Sequence, residues 1–169
     1  MYLGLDIGTS SVKAVLVDGA DRVVAVAEKR LTVQRPQPLW SEQDPETWVG
    51  ATFAAVDELA AAHPREVGAV VGIGLSGQMH GAVLLDAADR VLRPAILWND
   101  GRSAAECTLL EASFPALHAV TGNLAMPGFT APKLLWVKAH EPEIFAATAR
   151  VLLPKAYVRL KLTGTAVEE

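Results

Sequence analysis

Asp6, Gly8, Thr9, Ser10, Ser11 and Lys13 stand close together near the N-terminus. A carboxylate at the end of a short apolar run can hold a metal ion through water. A glycine followed by three hydroxyl residues can bring N–H and O–H donors against a phosphate, and Lys13 can add a point charge to the same anion. The apolar run resumes at Ala14-Val15-Leu16-Val17, so the segment reads as a phosphate-binding turn between two strands. Gly8, Thr9, Ser10, Ser11 and Lys13 would face the phosphates and Asp6 the metal. The chain contains no G-x-x-x-x-G-K-[ST], and a strand, not a helix, follows the turn. Gly-Thr-Ser-Ser also fits an ordinary turn.

Three further clusters carry polar or aromatic groups suited to a small polar ligand. Ser76-Gly-Gln-Met-His-Gly81 has glycine on both sides and can present Gln78, Met79 and His80. His80 can hydrogen-bond a sugar hydroxyl through either ring nitrogen, and Met79 can pack on the carbon skeleton. A buried turn with a satisfied histidine fits the same residues. In Trp98-Asn-Asp-Gly-Arg102, Asp100 and Arg102 can bind a polyol or simply pair with each other at a turn. Met126-Pro-Gly-Phe-Thr-Ala-Pro-Lys133 is stiffened by two prolines and can place Phe129 or Thr130 at a pocket wall, or lie over the core. Gly72-Ile-Gly-Leu-Ser-Gly77 matches a dinucleotide fingerprint, yet a loop and another strand follow, so no helix N-terminus is available for a pyrophosphate. Its glycines instead suit a close backbone approach. His63, His118 and His140 read as surface or helix-end residues, and the absence of H-x-x-x-H and C-x-x-C pairs argues against structural zinc.

The positioning elements follow from periodicity and turn chemistry. Residues 2–7, 12–18 and 22–33 read as strands, with Asp18-Gly19 as a hairpin signal. Asp44 then Pro45 starts a helix with Val49, Phe53, Val56 and Ala60 on one face, ending near His63-Pro64. Residues 67–75, 82–86 and 91–97 read as further strands. Ser103 with Glu106 forms a capping box for a helix to about Phe114. A helix from Thr130 or Ala131, a strand at 151–153 and a helix from Pro154 to Gly164 complete the pattern. Strands first, then alternation with helices, gives an α/β class. No internal repeat is evident.

With 169 residues, half of them hydrophobic, the chain can bury roughly two-thirds of its unfolded surface as one domain. The net charge of −4 and lack of a basic run disfavour a nucleic-acid partner. The single cysteine, Cys107, fits a reducing cytoplasm. Neither a signal peptide nor a long uncharged apolar run is present.

The motifs Asp6–Lys13, Ser76–Gly81, Trp98–Arg102, Met126–Lys133 and Leu153-Pro-Lys-Ala-Tyr-Val-Arg159 occur in this order. Together, and over essentially the whole chain, they resemble the opening region of the FGGY carbohydrate kinases. The first motif is shared with the wider actin-like ATPase superfamily. The Gln78-Met79-His80-Gly81 loop resembles that of the members acting on the ketose D-xylulose rather than on glycerol or gluconate. The resemblance implies an α/β, ribonuclease H-like (actin-like ATPase) domain, incomplete, with a mixed sheet flanked by helices. Residues 1–169 would be the N-terminal part of the first of two domains that close around a cleft, the rest of that domain and the C-terminal domain being absent. It implies an enzyme using ATP and Mg²⁺ to convert D-xylulose to xylulose 5-phosphate, and admits a homodimer of the complete enzyme; the cytoplasmic location and the lack of membrane or nucleic-acid partners rest on the cysteine, charge and hydropathy readings above.

By the same resemblance Asp6 would assist magnesium and phosphate positioning without being the base. Gly8, Thr9, Ser10, Ser11 and Lys13 would lie against the ATP phosphates. Gln78, Met79 and His80 would contact the ketose, with Asp100, Arg102 and Phe129 near it. The family's base is an aspartate later in the first domain, so residues 1–169 alone are expected to be inactive. Ala156 departs from the family, which commonly carries an acid there. A family member acting on another sugar or polyol, and a non-catalytic domain of the same fold, are the two other readings.

Overall fold

The structure, a computed structural model, describes residues 1–167; Glu168 and Glu169 lie outside the described residues. In chain order the elements are β1 (Tyr2–Ile7), β2 (Ser11–Val17), β3 (Val23–Arg30), β4 (Glu42–Gln43), α1 (Pro45–Ala62), α2 (Pro64–Gly68), β5 (Gly72–Gly77), β6 (Val83–Leu85) and β7 (Ala95–Ile96). They continue with α3 (Ala104–Ser113), α4 (Leu117–Thr121), α5 (Thr130–His140), α6 (Pro142–Ala147), β8 (Arg150–Leu152) and α7 (Pro154–Thr163). The chain divides into two compact units. The first holds Met1–Val33, Asp44–Gln78 and the described residues from Pro154; the second holds Gln34–Gln43 and Met79–Leu153.

The first unit is built on a four-stranded mixed sheet in the order β3-β2-β1-β5. β1 and β2 pair antiparallel and β5 lies parallel to β1. Side-chain alternation sends Leu3, Leu5, Ile7, Val12, Ala14 and Leu16 to one buried face, and burying each large aliphatic contributes about 1.5–3 kcal/mol. α1 covers that face with Trp48, Thr52, Ala55 and Leu59. The expected face, Val49-Phe53-Val56-Ala60, is displaced by one residue, and Phe53 is 48% exposed. Trp48 and Leu59 carry the larger buried area, and alanines elsewhere blur the stripe. Asp44 caps α1 as expected, accepting from Glu46 N–H at 3.0 Å. Pro64 opens α2, so the strand expected from Val67 begins only at Gly72. The segment Gly72–Gly77 is strand throughout, with no helix to make it a dinucleotide turn.

The β2–β3 connection is a five-residue loop rather than a two-residue Asp-Gly turn. Asp18 N–H donates to Arg22 O at 3.0 Å, Asp18 Oδ1 accepts the Ala20 and Arg22 amides, and Asp21, not Gly19, takes the left-handed conformation at φ 58°. Asp86–Arg90 in the second unit repeats this bond for bond, including the Ala88 and Arg90 amides on Asp86 Oδ1 and φ 58° at Asp89. The two loops share D-x-A-D-R, a short repeat that the reading of the sequence missed.

The second unit contains two small antiparallel pairs, β4–β7 and β6–β8. Its core joins Ala82, Leu84 and Ile96 to Trp136 and Val137 of α5, with Trp40, Leu92, Leu134 and Ile144 packed around them. The strands expected at 82–86 and 91–97 contract to Val83–Leu85 and Ala95–Ile96. The capping box does not form: Ser103 makes no side-chain cap on α3, and its hydroxyl donates to Pro127 O at 3.0 Å. α4 and α6 are too short to show a helical period. Cys107 is buried and donates to Ser103 O.

Candidate active site

In the first unit, strand register assembles one polar row. Asp6 pairs with Lys13 on β2 and with Ser76 on β5, and Lys13 pairs with Glu28 on β3. All four side chains belong to the exposed face of the sheet. The adjoining turn closes tightly, since Gly8 N–H donates to Ser11 O at 3.0 Å. A Cβ on Gly8 would sit 2.9 Å from that oxygen, so the close approach demands glycine. Leu31 N–H donates to Ser10 O at 2.8 Å and ties the turn to the end of β3. Beside it opens a cavity of about 480 Å³ lined by Ser10, Ser11, Glu28, Arg30 and Leu31.

Gln78 belongs to this unit and is buried. β5 continues beside β1, so Gln78 N–H donates to Ile7 O at 2.8 Å, and Gly77 has no room for a Cβ, which would lie 2.9 Å from the same carbonyl. The Gln78 side chain reaches the turn: Thr9 Oγ1 donates to its Oε1 at 3.0 Å and its Nε2 donates to Gly8 O at 3.4 Å. Gln78, expected with the sugar-facing residues, is therefore bonded to Gly8 and Thr9.

In the second unit, three loops meet. His80 has φ 60°, an unusual conformation for a non-glycine residue. Its ring packs on Phe129, centroids 4.5 Å apart. Its carbonyl accepts from Lys133 Nζ at 2.7 Å and from Thr130 Oγ1 at 3.2 Å. Lys133 Nζ also donates to Gly128 O at 2.8 Å, and Gly128 is pressed so closely on the Trp98 carbonyl that a Cβ would stand 2.3 Å from it. Met79, Trp98 and Met126 remain exposed. Burial, then the nearby Lys133 charge, holds the His80 imidazole below its ordinary pKa of 6.5, so it is neutral at pH 7. Burial pushes Lys133 down to about 7, with Asp100 opposing and Arg102 adding to the shift.

Asp100 and Arg102 face inward. Asp100 Oδ2 accepts Ser41 N–H at 2.6 Å and Arg102 Nη2 at 2.7 Å, while Oδ1 accepts Arg102 N–H and Nε, each at 2.9 Å. Arg102 also pairs with Glu42 at 2.7 Å, and its guanidinium lies 3.6 Å from the Trp40 ring centroid and 4.9 Å from that of Trp136. Glu42 in turn accepts from the buried Arg93, which lies 3.3 Å from Glu141. Lys133, Glu42, Arg93 and Trp40 carry no role in the reading of the sequence, whereas Trp136 is read there as apolar helix surface and is buried on α5. Lys133 left a signal, standing at the buried spacing of Trp136 and Val137 on α5.

Among the described residues, no group of three or more His, Cys, Asp or Glu could hold a metal by itself. Asp6 offers one accessible carboxylate, a donor set that suits Mg²⁺, which keeps its waters and shares substrate phosphates.

The chain as a whole has counterparts among known proteins. Residues 1–169 match the N-terminal domain of the FGGY family of carbohydrate kinases, and the chain belongs to that family. It is 60% identical over 97% of its length to the xylulose kinase of Escherichia coli (strain K12), covering 34% of that protein. It superposes with a TM-score of 0.94 and 61% identity on the crystal structure of a xyloylose kinase from Brucella ovis, covering 96% of this chain and 34% of that one. A xylulose kinase structure from Rhodospirillum rubrum matches with a TM-score of 0.93 and 39% identity over 98% of this chain and 34% of that one. The fold is therefore that of the FGGY sugar kinases, and the chain spans about a third of the length of the relatives it matches. Among the described residues, no helix is long and apolar enough to cross a membrane.

Proposed function

We propose that this chain is the N-terminal part of a cytoplasmic, ATP-dependent kinase that phosphorylates D-xylulose to xylulose 5-phosphate. The observation that carries the reading is the 60% identity, over 97% of this chain, to a xylulose kinase. The local geometry supports it. Phosphoryl transfer requires positioning and charge neutralisation more than covalent chemistry. The Gly8–Ser11 turn, closed by glycine and braced by Gln78, supplies donors for the ATP phosphates, and Lys13 adds a cation to them. Asp6 would hold Mg²⁺ through water; when bound, the ion neutralises phosphate charge. Met79, His80 and Phe129 would contact the ketose: His80 exchanges hydrogen bonds with hydroxyls as a neutral imidazole, and Met79 and Phe129 cover carbon. Asp100 and Arg102 would support that wall from behind.

No residue among 1–167 is assigned as base. Asp6 serves the phosphate end, and all four bonds of the Asp100 carboxylate go to Ser41 and Arg102. The proton acceptor would be an aspartate of the complete kinase outside these residues. The test is a coupled ADP-release assay of the complete kinase over a panel of ketoses and polyols. D-Xylulose should give the highest kcat/KM. Preference for another acceptor would replace the substrate, and ATP binding without transfer to any would replace the enzyme reading.

A further inference from the structure

Lys133 is wholly buried, and both of its hydrogen bonds go to main-chain carbonyls. Burying a cationic side chain is costly unless its donors are used, and methionine would fill similar space without that cost. The two carbonyls belong to separate loops. One is that of His80, at φ 60°, which also receives Thr130 Oγ1. The other is that of Gly128, whose neighbour Phe129 packs on the His80 ring. One nitrogen thus closes a short circuit from the carbonyl of His80 to the loop bearing Phe129. A neutral amine keeps two N–H donors, so the bracing does not require the charged form.

We infer that Lys133 is a positioning residue for the acceptor sugar: its Nζ ties the His80 and Gly128 carbonyls together and so fixes His80 and Phe129 as one wall. The inference rests on the reading of the His80 loop as the sugar-facing loop. Placement of a binding group matters because small displacements cost affinity and rate out of proportion to their size.

The experiment compares the complete kinase with its Lys133→Met and Thr130→Val variants. Thr130→Val removes only the second bond to the His80 carbonyl, and serves should Lys133→Met fail to fold. We expect the KM for D-xylulose to rise about tenfold in Lys133→Met and about threefold in Thr130→Val, the scale of losing one or two buried hydrogen bonds. The KM for ATP should stay within twofold. An unchanged sugar KM, or equal rises for both substrates, overturns the inference. If the unmodified kinase phosphorylates no sugar, the functional reading fails separately, and amide hydrogen exchange then decides the bracing alone. Faster exchange at both residues 79–81 and the Gly128 and Phe129 amides in the variants supports it, and unchanged exchange overturns it.

Discussion

Thr9 and Gln78, 69 residues apart in sequence, are bonded side chain to side chain at 3.0 Å. The bond exists because β5 is laid parallel to β1, which delivers the end of one strand to the turn that follows the other. Gln78 is buried, so the bond is made away from bulk water and its removal should be felt at the turn. A double-mutant cycle with Thr9→Val and Gln78→Leu, read from kcat/KM for ATP, should show a coupling of about 1 kcal/mol. Additive losses would mean that the bond does nothing for the turn.

His80→Ala in the complete kinase should raise the sugar KM about tenfold or more and leave the KM for ATP within twofold, on the scale of a lost side-chain hydrogen bond plus packing. Equal sugar kinetics in the variant would remove His80 from the site. The pH dependence has a definite sign. The folded state holds the imidazole below 6.5, through burial and then Lys133. The unfolded state therefore binds the extra proton in the window just below 6.5, and His80's contribution to stability is complete above that window and falls as pH drops through it. Sugar affinity should follow the neutral form in the same direction. An NMR titration placing His80 above 6.5 would contradict this.

For Lys133 the window lies higher. The folded state keeps its proton only to about 7, against 10.5 ordinarily, mainly through burial. Between these values the unfolded chain binds more protons, so the stability difference between wild type and Lys133→Met should shift in favour of wild type from pH 7 towards 10. Urea unfolding of both proteins at pH 6.5 and 9 measures the shift. A constant gap would show that Lys133 does not titrate there.

Arg102→Ala should be severe. The side chain is 1% exposed, pairs with Asp100 and Glu42, and lies against two tryptophan rings. Removing one partner of a buried ion pair costs about 3–5 kcal/mol because a charge is left uncompensated. Chemical denaturation should show a loss of this size, and a change below about 1 kcal/mol would place Arg102 outside the network that holds the second unit.

The 169-residue chain by itself is expected to show no phosphoryl transfer in a coupled assay. Loss of a single preorganised donor typically costs about 10²–10³ in rate; a base lying outside these residues, as proposed, would cost alignment and proton acceptance together. Turnover at ordinary kinase rates from these residues would require a base among them.

The first unit was largely legible because its signals are local. Apolar alternation from Leu3 to Leu16 fixes the two strands and their faces, and Asp44-Pro45 fixes a helix start that forms as read. Ser103 and Glu106 show where local reasoning fails, since their spacing fits a capping box but the Ser103 hydroxyl is taken by Pro127. That competitor lies 24 residues away and leaves no local trace. The same holds in the second unit for Arg93, whose partners Glu42 and Glu141 flank it at long sequence distances. Gln78 was legible as a polar loop residue, but its attachment to Thr9 depends on strand order, which no residue pattern near Gln78 encodes.

The paired D-x-A-D-R loops bear on how the chain folds. In each, the aspartate accepts the amides and the arginine that close the turn, so every bond is made within five residues. Hairpins closed by such near contacts form in roughly 1–10 μs, before distant pairings can organise. Each unit thus carries one turn whose closure needs only contacts local in sequence. A peptide spanning residues 11–30 should already show cross-strand contacts in solution, and losing them in Asp18→Ala would show that this carboxylate closes the hairpin without help from the rest of the unit.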